Sequence, residues 1–302
     1  MSKILGTENL VYTCGECGEE IWENIQPIHL FIEAFYFVLN ALIYFAVLFI
    51  SVNFYSTYPE WRGVTGFTFA TTIILASVSL HEFFHAVCAF VFGDFSIYRK
   101  KYLRLNIIHY LHGSTSMLLP FMGFVLSGIV EIGAAVYVNE ARIKHAFLRS
   151  IVYVSGVFSQ VIFLLFFVYL SDRADLFLSS GLIPFLHFAA GVQVILLFFN
   201  LLPIPGLDGW NAVFCFLPFQ KLKDISTRFS TLFIIIFVVC LVTFDALTES
   251  LYTVIFSLME WFKIDSELLI NAFYQMQLID FETLQLIKDR LFKLLSVTLG
   301  LQ

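Results

Sequence analysis

Several stretches of this chain are too long and too apolar for a soluble core to absorb. Residues 28–52, 64–92, 147–170, 181–202 and 232–247 are runs dominated by Leu, Ile, Val, Phe and Ala. Most reach the roughly 20 residues that carry a helix across a hydrocarbon layer of about 30 Å. Two further stretches are less regular: 117–138 is apolar but interrupted, and 251–262 is short enough to cross, re-enter or lie at the surface. Composition agrees, with 59% hydrophobic and 13% charged residues, against about 25% charged in soluble domains. The chain is therefore expected to be an all-α polytopic membrane protein with about six transmembrane helices and a re-entrant or extended segment near 117–138. Its first partner is the lipid bilayer, and no nucleic-acid partner is expected.

Three parts follow from polarity. Residues 1–24 are polar and acidic, with Glu8, Glu16, Glu19, Glu20 and Glu23 against Lys3. A cleavable signal needs a basic start followed by a short apolar run, so the first span is expected to direct insertion itself. Residues 25–263 form the membrane-embedded domain, and 264–302 form a helical tail. In the tail Leu284, Ile287, Leu291, Leu294, Leu295 and Thr298 share one helical face. Glu282, Gln285, Lys288, Asp289 and Lys293 fall mostly on the other. Such a helix suits a membrane interface, a partner chain or the protein's own surface. Cys14 and Cys17 have the spacing of one zinc knuckle, but a structural site needs four ligands and no second CxxC exists. A vestigial ribbon, or one completed by a partner chain, is expected there. Cys88, Cys215 and Cys240 sit in or beside apolar runs, where a thiol acts as a small apolar group.

Lys and Arg placement sets orientation. Arg99, Lys100, Lys101 and Arg104 follow the second span. Arg142, Lys144 and Arg149 precede the 147–170 run, and Lys221, Lys223 and Arg228 follow the 181–202 run. The connections at 53–63 and 171–180 have one basic residue each. The three basic loops are therefore expected on the cytosol-equivalent side, with the N-terminus beside them.

The second span carries His81-Glu82-Phe83-Phe84-His85. Positions i and i+4 share a helical face, so two imidazoles can hold one ion. Glu82 is free to take a proton from water that the metal acidifies. At this composition the pattern arises by chance on the order of 0.01 times per chain, and ionisable groups inside an apolar helix are costly unless they have partners or a function. A catalytic zinc takes three protein ligands and keeps one position open. The best third ligand is Asp208, in the segment Asn200-Leu201-Leu202-Pro203-Ile204-Pro205-Gly206-Leu207-Asp208-Gly209. Its prolines and glycines break the span into an irregular turn. The alternative for Asp208 is a helix N-cap for residues 210–216. Both motifs lie near the basic-side ends of their spans, so the three ligands can meet at one depth.

An HExxH within a membrane span, together with N-x-x-P-x-P-x-L-D-G, resembles the site-2 protease family of intramembrane zinc metallopeptidases. The likeness extends over residues 80–218. Gly93-Asp94-Phe95-Ser96 and Lys101-Tyr102-Leu103-Arg104-Leu105-Asn106 resemble further elements of a prokaryotic-type branch. The resemblance implies that His81, His85 and Asp208 bind Zn2+ and that Glu82 is the general base. It implies that the region of Gly133 and Ala134, continuing through Val138, is an edge strand that pairs with unwound substrate. Asn200 and Gln160 are the other substrate contacts it implies. Where the family often has G-P-x-x-N, this chain has Gly156-Val157-Phe158-Ser159-Gln160, with Gln in place of Asn. The expected function is zinc-dependent hydrolysis of a peptide bond in or near a membrane segment of a protein substrate. The alternative is a catalytically silent relative that serves as an assembly subunit of a membrane complex.

Overall fold

Among the described residues, four helices are long and apolar enough to cross a membrane. They are α1 (Pro27–Thr57), α2 (Arg62–Val91), α5 (Ala146–Ser171) and α6 (Ile183–Leu201). The fold is a computed structural model that describes residues 10–13, 20–23, 27–111, 135–173, 183–218, 222, 225–226 and 228–276. The connection between α2 and α5 holds two short helices, α3 (Ser96–Arg99) and α4 (Ile107–Tyr110). After α6 come α7 (Asp208–Phe214), α8 (Ser230–Thr243), α9 (Asp245–Trp261) and α10 (Ser266–Met276). A small antiparallel hairpin precedes the helices, with β1 (Leu10–Thr13) paired to β2 (Glu20–Glu23). Cys14, Cys17 and the face of 284–298 lie outside the described residues.

Among the described residues the candidate crossings number four, or five if α8 and α9 form one broken span, so the expected count of about six is not confirmed. The break between α8 and α9 follows from the polar stretch that starts at Thr243. Asp245 and Glu249 cannot continue a lipid-facing run, Phe244 turns extended, and the two helices meet at 96°. With 14 residues, α8 rises only about 21 Å. Most of 117–138 lies outside the described residues. Its end, 135–139, is not helical.

Helices α2, α5 and α6 form the centre. Ile73, Leu164, Leu186, Ala190, Val194 and Met259 make its main apolar core, where α9 also contributes. Small residues let the backbones approach: Ala86, Ala89 and Ala189 are fully buried. Lipid supplies little hydrophobic drive between helices, so hydrogen bonds matter. Gln193 Nε2 on α6 donates to Ser77 Oγ on α2 at 2.7 Å, and Tyr44 on α1 pairs with Ser79 on α2 at 2.8 Å. Helix α1 is peripheral, with Phe31 69% and Phe45 66% exposed, as suits a lipid-facing surface. Helix α10, within the segment read as a tail, packs on α2 and α6 and buries Ala272 completely.

Glu33 in the first span is unusual at membrane depth, and the fold supplies its partner. Arg104 Nε and Nη2 donate to the Glu33 carboxylate at 2.8 to 3.1 Å. The guanidinium also lies 4.3 Å from the Tyr36 ring centroid, and Asn40 Nδ2 donates to Arg104 O at 2.9 Å. The hydrogen bond to Glu33 pushes the Arg104 guanidinium further above its ordinary value. Removing one partner strands a buried charge, which costs about 3 kcal/mol or more. Arg104→Met is therefore expected to lower the unfolding midpoint of the purified protein well below that of Glu33→Gln/Arg104→Met. Equal midpoints for the two variants would contradict the pairing argument.

Candidate metal centre

The site lies at one end of the bundle. There α2 and α6 finish, and α1 and α5 begin. His81 and His85, one turn apart on α2, turn their Nε2 atoms to the same point, 3.0 Å from each other. Asp208 reaches it from the turn beyond α6, with Oδ2 at 2.9 Å from His81 Nε2 and 3.2 Å from His85 Nε2. All three side chains are largely buried, and among the described residues they are the group of three able to hold a metal ion.

The local sequence explains how Asp208 arrives there. Pro203 and Pro205 end α6, and the chain reverses through bonds from Ile204 N to Leu202 O and Leu207 N to Ile204 O. Asp208 opens α7 and its carboxylate faces the two imidazoles; no side chain caps this helix. The capping alternative therefore does not hold. Gly209 makes the reversal possible: a Cβ there would lie 2.3 Å from Leu201 O.

The donors fit a divalent cation. His85 Nδ1 lies 2.6 Å from Val152 O, an acceptor only, so Nδ1 carries a proton and, in the neutral ring, Nε2 presents the lone pair. The carboxylate oxygen 3.2 Å away presents another, so these two atoms cannot hydrogen-bond to each other without a further proton. The three separations approach the edge of about 3.3 Å expected between ligands of a tetrahedral zinc. The buried His81 Nδ1 has no partner among the described residues. Zinc thus suits the nitrogen and oxygen set present.

Glu82 is also buried, and among the described residues its hydrogen bond is not with the three converging atoms. Its Oε2 accepts a hydrogen bond from Val136 N at 2.8 Å. Residues 135–139 thus pass the carboxylate. Gly133 and Ala134, immediately before them, lie outside the described residues. Gln160 is 2% exposed on α5, with Oε1 unpartnered among the described residues. Asn200 sits half-buried in the last turn of α6. Sequence reasoning missed the role of Gly156. A Cβ there would lie 2.3 Å from His85 Nε2 and 2.6 Å from His81 Cε1, so α5 presents bare backbone to the imidazoles. The available signal was a glycine one turn before Gln160 on the same face.

The chain is homologous to proteins that carry provisional zinc-metalloprotease names. It is 39% identical over 143 residues to Rip2 of Mycolicibacterium smegmatis, covering 46% of this chain and 53% of that one. It is 38% identical over 141 residues to Rip2 of Mycobacterium tuberculosis, with 53% of the relative covered. It is 30% identical over 149 residues to YwhC of Bacillus subtilis, with 65% covered. The matched part thus spans about half the length of the first curated relatives. No family model matches the chain. No solved structure matches it. The resemblance to site-2 proteases carried by the two motifs is borne out by these relatives.

Proposed function

We propose that this chain is an intramembrane zinc endopeptidase that hydrolyses a peptide bond in or near a transmembrane segment of another protein. The observation that carries the reading is the convergence of His81 Nε2, His85 Nε2 and Asp208 Oδ2 beside Glu82, within helices apolar enough to cross a membrane. The names of the relatives point the same way.

His81, His85 and Asp208 would hold the ion. Zinc, when bound, supplies Lewis acidity that polarises a carbonyl and lowers the pKa of water to about 7. Glu82 receives a proton from the attacking water and returns it to the leaving amine. Val152 O fixes the tautomer of His85 and so the direction of its lone pair. Gln160, Asn200 and the segment starting at Gly133 and Ala134 contact the substrate chain. A helix hides its carbonyls, so the substrate must unwind locally. Purified protein is expected to hold about one zinc per chain, and to cut a tagged single-span protein with Gly and Pro in its span. Metal-free protein that binds no added zinc would overturn the reading.

The protein resides in a membrane in many passes, with its N-terminal segment on the cytosol-equivalent side. Supporting this, the basic loops at 99–104 and 142–149 lie at the end where α1 begins. Single cysteines at positions 100, 144 and 223 are expected to label from the same side of intact vesicles. Labelling of 100 and 223 from opposite sides contradicts it.

A further inference from the structure

Residues 135–139 are fastened by hydrogen bonds that alternate along the chain. Ala135 N donates to Tyr110 O at 3.0 Å, Tyr137 O accepts from Lys100 Nζ at 2.9 Å, and Asn139 N donates to Asp94 Oδ2 at 2.7 Å. These odd-numbered residues all face the 94–110 connection. Val136 N instead donates to Glu82 Oε2. Exposure alternates in step: Ala135, Tyr137 and Asn139 are exposed, while Val136 and Val138 are half-buried. Both alternations are those of an extended strand. One edge is held by the connection. The other faces Glu82, and there Val136 O and the Val138 backbone have no partner among the described residues.

Asp94 is the firmest of these fastenings. It is fully buried, its Oδ1 accepts from Ser96 N at 3.2 Å and Ser96 Oγ at 2.6 Å, and its Oδ2 is given to Asn139. A buried carboxylate must have its lone pairs satisfied, so the position of Asn139 is tied to that of Asp94. Asp94 N in turn donates to Ala89 O in the last turns of α2, the helix of His81 and Glu82. The strand is thereby fixed to the helix that carries the chemistry.

We propose that Asp94, assisted by Lys100, is a positioning residue that sets the register of strand 135–139 against Glu82 and so selects which substrate bond is cut. This rests on the protease reading above. A substrate segment pairing with the Val136–Val138 edge takes its register from that strand. A slip of two residues moves it about 7 Å, enough to bring a different peptide bond to the metal.

Asp94→Asn tests this, because its amide can still accept from Ser96 while its NH2 group opposes the Asn139 N–H. Lys100→Met removes the second fastening and Lys100→Arg retains a donor for it. The probe is a fluorescently tagged single-span protein with Gly and Pro in its span, in detergent micelles. Asp94→Asn is expected to keep its zinc, cut at least about tenfold more slowly, and scatter its cuts over neighbouring bonds by mass spectrometry. Lys100→Met should scatter them less, and Lys100→Arg should restore the parental position. Hydrogen exchange on the same proteins should quicken in 135–139 for Asp94→Asn and stay unchanged in α2. Unchanged exchange there, or slower cutting at an unchanged position, overturns the register role. A parent that cuts nothing and binds no zinc overturns the protease reading, and the fastening by Asp94 is then judged by exchange alone.

Discussion

Glu82→Gln is expected to bind zinc as the parent does and to lose turnover by at least about a hundredfold, the usual contribution of a positioned acid–base group. None of the three converging ligand atoms belongs to Glu82. A glutamine oxygen can still accept from Val136 N, so fold and strand position survive while the proton acceptor is lost. His85→Ala and Asp208→Ala behave differently. Each removes one of three ligands, so both metal and activity are expected to go. A catalytically silent assembly subunit gives another pattern. Glu82→Gln expressed at native level would then leave every membrane-protein fragment in the cell unchanged. That result, with no zinc in the purified parent, would replace the protease reading with the structural one.

Gly156→Ala is expected to weaken zinc binding at least about tenfold, the scale of losses when groups around metal ligands are disturbed, and to lower turnover with it. The added methyl would lie 2.3 Å from His85 Nε2 and 2.5 Å from His85 Cε1. The imidazole cannot swing aside freely, because His85 Nδ1 is bonded to Val152 O, one turn earlier on the same helix α5. Relief must come from α5 moving out or from His85 leaving the metal position. Metal titration checks this, with Val157→Ala as a comparison one residue along. Parental zinc affinity in Gly156→Ala would mean that α5 yields without cost, and the close approach would carry no function.

The three residues of the candidate metal site were legible in the sequence because each signal was local. His81 and His85 are one helical turn apart, and the Pro and Gly residues around Asp208 announce a break in a helix. Their meeting at one depth followed from span direction alone. Glu33 was legible only as an anomaly, since Arg104, 71 residues away, has no periodic relation to it. Gly156 was read as part of a motif changed at residues 157 and 160, and attention fell on Gln160. The need for a missing side chain shows only when a neighbouring helix is in place. Asp94 was noticed by resemblance, yet its partner is a backbone N–H in a segment without regular pattern. The break at Phe244 was not legible, because 232–247 reads as one apolar run although it takes in Thr243 and Asp245.

On the proposed protease reading, the location of the candidate metal centre near the end of α2 would make the two products of a cut unequal. His85 stands six residues before Val91, where α2 ends, a rise of about 9 Å. A bond severed at that depth leaves the piece on the basic-loop side with only a few apolar residues. That stub falls far short of the roughly 20 needed to stay anchored. Its partner keeps nearly a whole span and remains in lipid. One fragment would dissolve away while the other stays, so the severed ends would separate into different phases and could not rejoin.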